Sequence, residues 1–403
     1  MNGRMKKYDM KADTNKGMAN TKKGKQKNGF LQIRFLCFIG AVILLLSACS
    51  IFIGVTPDKT YSSSERRVLA KRPALTKKSV LKGSFQKKFE TYLCEQIPGR
   101  IRWVSLQSGL SRLLGNRDVN GVYFGKDGYL LERYQMQDFN WKQVKKNIRR
   151  VSAFVKKYPQ ARVMFVPVKS SVLAEKLPAF AQNSADTRFF ELAGQIPKEQ
   201  QTQVSDVLRA HSTDYIYYRT DHHWTSAGAF YAYEAWAEDM GFTPLKKDDF
   251  KIRLAEDAFL GTSYAKTRTG GKPDTIELYE RKNSPGFELE YNMGEFQTDS
   301  FYDLSKSGGD DPYSVFLGGN QALIDVQNCS EDTNGKTLFI VKDSFGNCFA
   351  PLAAQHYART VIADLRYINI PVHALLDMYP ADDILILYNS AQFMEDKDIR
   401  KLK

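Results

Sequence analysis

The stretch Tyr-Arg-Thr-Asp-His-His-Trp-Thr-Ser-Ala-Gly, residues 218–228, gathers an acid, two imidazoles and several hydroxyls. The chain has five histidines, and two stand here side by side. Three chemistries compete for such a cluster: metal ligation, a general base with its orienting acid, or a polar turn before a helix. A zinc site needs three protein ligands, and a two-metal centre needs several more acids and imidazoles. His211, His356 and His373 sit in helical or exposed contexts, and no Asp-x-Asp or His-x-His accompanies them, so no metal and no cofactor is expected. An attacking serine, by contrast, needs a base, and the base needs an acid to orient it. Along an extended segment residues i and i+2 face one side. Asp221 is then placed to hold His223, His222 is turned away, and Trp224 walls the site.

The serine that fits is Ser344, in Val-Lys-Asp-Ser-Phe-Gly-Asn (341–347). It follows an apolar strand and opens a helix, where free N–H groups can stabilise an oxyanion. Gly346 is expected to let the chain approach a substrate closely. The plainer readings are a serine that caps a helix and a hydrogen-bonded turn at 221–223.

The elements that must carry these residues are clearest near the C-terminus. Residues 337–341, a helix from 345, 360–364, a helix within 371–379 and 383–389 read as β-α-β-α-β. That order implies parallel strands with right-handed crossovers, hence an α/β doubly wound parallel sheet. Functional residues gather at the carboxyl ends of such strands, here Lys342-Asp343-Ser344, Asp364-Leu365-Arg366 and Tyr388-Asn389-Ser390. Upstream, 141–157 reads as a helix and 161–168 as a strand buried on both faces. Residues 121–133 read as a hairpin about Lys126-Asp127-Gly128, and 215–218 as a short strand. Residues 225–242 form a helix capped by Thr225 or Ser226. Two amphipathic helices are expected near 84–95 and 101–114. Residues 243–335 carry only short strand signals.

Charge excludes one function class. Ten Lys/Arg against Asp9 and Asp13 within residues 1–34 supply +8 of the chain's +13, so the other 369 residues carry only +5. The body is mildly basic, and no nucleic-acid partner is expected. The basic leader runs into residues 35–55, which have no charge and as a helix span roughly 32 Å, about one bilayer core. The expected order is a basic cytoplasmic tail (1–34), a single-pass anchor in a bacterial cell membrane (35–55), an extracytoplasmic tether with helices (56–118) and an α/β domain (119–403). Leu46-Ser47-Ala48-Cys49 resembles a lipobox, so a lipoprotein is the alternative anchor. Outside the apolar run the three cysteines, Cys94, Cys329 and Cys348, form neither a disulfide framework nor a zinc pattern.

"TDHHWT" with the later "VKDSFGN" resembles the DHHW family, which is similar to the alginate O-acetyltransferase group of SGNH-hydrolase-like proteins. Residues 120–131, 259–267, 313–328, 342–347 and 362–368 support the likeness and bring Tyr264 and Arg366 in as substrate candidates. The resemblance implies a circularly permuted SGNH sheet with Asp221, His223 and Ser344 as the catalytic trio. Lys342 stands where SGNH proteins have Gly, and no Gly-x-Asn-Asp is present, which leaves Asn389 and Asn320 as oxyanion candidates. The implied function is an extracytoplasmic serine O-acetyltransferase or esterase acting on cell-envelope or exopolysaccharide hydroxyls. Its acyl donor would be a membrane-embedded O-acyltransferase. An inactive SGNH-derived polysaccharide- or wall-binding protein is the alternative.

Overall fold

The computed structural model describes residues 33–62, 67–284, 286–330 and 333–402. The expected basic tail lies outside them apart from Ile33 and Arg34. The described residues divide into two compact units, 33–62 with 68–100 and, from 101 onward, the rest.

In the first unit Ile33–Val55 is a single helix (α1) of 23 residues, long and apolar enough to cross a bilayer. Most of its large apolar side chains are exposed, which water does not tolerate over such a length. A second helix, Ser84–Gln96 (α2), is pinned through buried Tyr92, whose hydroxyl donates to Asp58 at 2.6 Å and accepts from Arg72 Nη2 at 2.9 Å.

The second unit opens in α3 (Arg100–Leu113). Asp118–Val119 (β1), Val122–Phe124 (β2) and Leu130–Glu132 (β3) follow as an antiparallel meander. Its tight turn takes Asp127 and Gly128 to φ 55° and 79°, a conformation that glycine and short acids adopt cheaply. Helix α4 (Trp141–Lys157) buries Val144, Ile148, Val151 and Val155. That stripe at spacings of four and three is the face a helix lays on a sheet.

The central sheet has seven strands. In chain order they are Ala161–Val166 (β4), Phe287–Tyr291 (β5), Phe296–Thr298 (β6), Leu323–Asn328 (β7), Thr337–Lys342 (β8), Arg359–Ala363 (β9) and Asp383–Asn389 (β10). Across the sheet the order is β6-β5-β7-β9-β8-β10-β4. The β9-β8-β10-β4 half is parallel, while β7, β5 and β6 run antiparallel. The sheet is therefore mixed rather than wholly parallel. Only β5 and β6 are joined by a short hairpin, Tyr291 to Phe296, while β7 meets β5 and β9 across longer connections. Successive residues of β8 alternate faces. Leu338 and Ile340 join one buried cluster with helix Ser226–Asp239 (α5), and Phe339 and Val341 join another with α4. Helix covers both faces, which is why β8 is apolar from Leu338 to Val341.

This topology builds one rim. Strands β4, β8, β9 and β10 all end there, presenting Lys169, Ser344, Arg366 and Asn389. Antiparallel β7 begins there, its Leu323 opposite Ala363. The Gly318-Gly319-Asn320 loop that feeds β7 therefore joins the same rim.

Candidate active site

Residues 215–218 do not form the expected strand. A single antiparallel bridge, Tyr217 with Trp224, closes a bend over 219–223, and the Tyr218 N–H donates to the His223 carbonyl at 3.2 Å. Thr225 then caps α5, accepting from the Gly228 N–H at 3.3 Å. Two buried side chains of opposite charge fix this bend. Lys169 Nζ donates to the carbonyls of Tyr218, Arg219 and Asp221 at 3.0, 3.4 and 2.6 Å. The Asp274 carboxylate accepts the N–H groups of Arg219 and Thr220 at 2.6 and 2.7 Å. Burial lowers the Lys169 ammonium to about 8, so it remains largely charged at neutral pH.

The bend brings the expected residues together. Asp221 Oδ1 lies 2.5 Å from His223 Nδ1, and His223 Nε2 lies 2.7 Å from Ser344 Oγ. Asp221 Oδ2 accepts the Thr262 N–H and hydroxyl at 2.7 and 2.9 Å. Burial opposes ionisation of Asp221, but the two imidazoles and the Thr262 N–H overrule it and hold the carboxyl well below the usual range. The Tyr313 ring stacks on His223 at 3.8 Å, and its hydroxyl donates to the Ser344 carbonyl at 3.1 Å.

On the nucleophile side, Asp343 ties the turn to β10. Its carboxylate accepts from the N–H groups of Phe345 at 2.9 Å and Asn389 at 2.8 Å. Burial pushes its pKa up to about 6. Lys342, also fully buried, donates to Asn347 Oδ1 and lies 3.6 Å from Asp364, which Arg366 grips with two bonds of 2.9 and 2.6 Å. Asn347 Nδ2 in turn faces Asn320 Oδ1 at 3.3 Å. Among the described residues the Ser344 N–H and the Asn320 amide nitrogen have no acceptor.

Several expectations require correction. His222 does not turn away: its ring lies 3.8 Å from that of His223, and its Nδ1 meets Thr262 Oγ1 at 2.6 Å. Side chains do not alternate here because 219–223 bends rather than extends. Burial, then the neighbouring His223, lowers the His222 imidazole to about 4, so it is neutral at neutral pH. Trp224 is fully buried and walls no open site; its Nε1 donates to the Phe345 carbonyl at 3.1 Å and joins the two loops. Asn389 has its amide committed, donating to the carbonyls of Val166 and Pro167 at 3.2 and 3.4 Å and accepting from the Ala391 N–H at 3.1 Å. Gly346 faces no substrate: a Cβ there would lie 2.7 Å from Lys342 Cβ, so the glycine makes room for the lysine stem. Arg366 serves Asp364, and Tyr264 lines a neighbouring cavity.

Sequence reasoning missed Lys169, Asp274, Thr262 and Tyr313. Thr262 and Tyr313 lie in the supporting segments 259–267 and 313–328, Lys169 and Asp274 lie in none, and all four act through contacts across long separations. Donor atoms of Asp221, His222 and His223 also lie within 4.8 Å of one another, close enough to share a metal ion. In this geometry, however, both His223 nitrogens face Asp221 and Ser344, and His222 Nδ1 faces Thr262.

Residues 192–362 match the family model described as DHHW protein. A DHHW family protein from Eubacterium siraeum aligns over 70% of this chain and 96% of its own, at 22% identity and a TM-score of 0.59. PatB1 of Bacillus cereus, solved with a sulfonyl adduct, aligns over 70% and 98%, at 19% identity and a TM-score of 0.57. PatB1 in a second structure aligns over 68% and 97%, with a TM-score of 0.54. A comparison with curated proteins gave no match. In sequence over residues 192–362, and in its SGNH-like α/β fold over about seven-tenths of its length, the chain resembles the DHHW family.

Proposed function

We propose that the second unit is a serine O-acyltransferase acting on glycan hydroxyls outside the membrane, with Ser344 as nucleophile, His223 as base and Asp221 as its orienter. One observation carries the reading: an unbroken chain of short contacts, 2.5 Å from Asp221 to His223 and 2.7 Å from His223 to Ser344. Ser344 Oγ attacks an acyl carbonyl while its proton passes to His223 Nε2. The Ser344 N–H and the Asn320 amide take the oxyanion. The leaving group departs with that proton, and the acyl group stays on Ser344. A sugar hydroxyl then attacks the acyl-serine, its proton passing through His223 to Oγ.

The resemblance to alginate O-acetyltransferase-type proteins supports acetyl as the group, and α1 supports membrane attachment with a membrane-embedded O-acyltransferase as donor. Lys342, the departure that favours an inactive binding protein, is accommodated beside Gly346 without disturbing Ser344, and this supports activity.

The test uses the full chain in detergent with 4-nitrophenyl acetate and a sulfonyl fluoride. Acetate release, and labelling of Ser344 found by peptide mass, are expected. Ser344→Ala should lower release at least ~10³-fold, and His223→Ala nearly as much, since such residues act as a unit. Release equal in wild type and Ser344→Ala would end the serine reading. Loss with a chelator and recovery with zinc would reassign Asp221, His222 and His223 as ligands.

A further inference from the structure

Beside the trio lies an open cavity of about 410 Å³, lined among others by Gly261, Tyr264, Arg268, Asp310 and Pro312. It shares two walls with the site. Gly261 abuts Asp221 so closely that a Cβ would fall 2.2 Å from Asp221 Cβ. Pro312 directly precedes Tyr313, whose ring covers His223. The cavity therefore adjoins Asp221 through Gly261 and is separated from His223 by Pro312 and Tyr313.

Its lining has a definite chemistry. Tyr264 is half-buried, and the Arg268 guanidinium stands 5.4 Å from its ring centroid. Across the opening, the Gly308-Gly309-Asp310 loop is held by Glu256, which accepts the Gly308 N–H at 2.6 Å. An aromatic face, a planar cation and an exposed carboxylate around one hollow suit a sugar. Its C–H face packs on the ring, and its hydroxyls bond the charged planar groups. The volume falls within the range of small-molecule sites.

We infer that this cavity is the acceptor subsite: it holds a glycan chain, about two residues of it, with the next residue's hydroxyl delivered to the acyl-Ser344. The inference rests on the O-acyltransferase reading above. Tyr264 supplies the platform, and Arg268 and Asp310 supply polar recognition. Water, which needs no subsite, competes for the same acyl-serine.

The test measures how the acetyl group of 4-nitrophenyl acetate divides between water and a sugar hydroxyl. The acceptors are chitopentaose, mannopentaose and a uronate pentamer, with the full chain in detergent. Transfer to at least one of them is expected. Tyr264→Ala and, separately, Asp310→Trp, which fills the hollow from its lip, should each lower the ratio of transfer to hydrolysis at least tenfold by raising the acceptor KM. Ratios within twofold of wild type in both variants would overturn the subsite, as would refusal of all three acceptors by an enzyme that hydrolyses the ester. Absence of ester hydrolysis in the wild type would instead strike the serine reading itself.

Discussion

The acid–base bend at 219–223 and the nucleophile turn at 342–347 are both held by a buried lysine and a buried aspartate, but the clamps differ in kind. The bend is gripped from outside. Lys169 and Asp274 come from distant parts of the chain and bind its backbone, the cation on carbonyls and the anion on N–H groups. The turn carries its own clamps. Asp343 sits next to Ser344, and Lys342 works through side chains that have further partners. The bend has internal bonds as well, from the His223 N–H to Asp221 Oδ1 at 2.9 Å and from the Tyr218 N–H to the His223 carbonyl at 3.2 Å, but its cation and second carboxylate come from elsewhere, whereas both charged clamps of the turn lie within it.

That contrast can be broken by substitution. Lys169→Met should cause the largest loss, because three carbonyls lose their common donor inside the protein. About 2–4 kcal/mol of stability is expected to go, as for a buried charge partner removed. Acetate release should fall with it as Asp221 loses its setting; urea melts and ester hydrolysis would check both. Lys342→Met should cost less, about 1–2 kcal/mol, because Asp364 keeps Arg366 and only Asn347 is left short. Its signature should be a lowered kcat with little change in KM, through a loosened Asn320. If the order of the two losses were reversed, the comparison would fail.

A subtler sharpening uses pH. Burial raises Asp343 from 3.8 to about 6, so between those values the folded chain holds a proton that the unfolded chain has released. The stability this group contributes is full below about pH 4 and is lost as pH rises through 6. Asp343→Asn should flatten that part of the dependence of Tm on pH between 4 and 7. An unchanged slope would show that the clamp is not titrating.

The same contrast explains what could be read in the chain. Helix 141–157 and the alternating 337–389 region announce themselves by period, and Lys342-Asp343-Ser344 keeps nucleophile and clamp in one run. Asp221 and His223 were legible as an acid two residues before an imidazole. Their support was not, since Asp274, Thr262 and Tyr313 fall within 243–335, where the strand Phe250–Phe259 shows little alternation of buried and exposed residues and side chains answer to distant partners. His222 was misplaced for a related reason: alternation holds along a strand, and a single bridge at Tyr217 and Trp224 makes a bend instead. Asn389 sits at a strand end as expected, yet capping of the helix Ser390–Glu395 and two carbonyls use up its amide.

The passage of the Lys342 stem beneath Gly346 ties the mutational fates of the two positions. Alanine at 346 meets three carbons of that stem, at 2.7 to 3.0 Å, the nearest being Lys342 Cβ, and is tolerated only beside glycine at 342. Glycine at 342, the residue usual in SGNH proteins, empties the space beneath 346 and strips Asn347 of its cation. Neither step is neutral alone, so a lineage carrying this pair leaves it only through a destabilised intermediate or by changing both residues together. The departure from the usual pattern is in this sense self-preserving: epistasis between two buried neighbours keeps it in place.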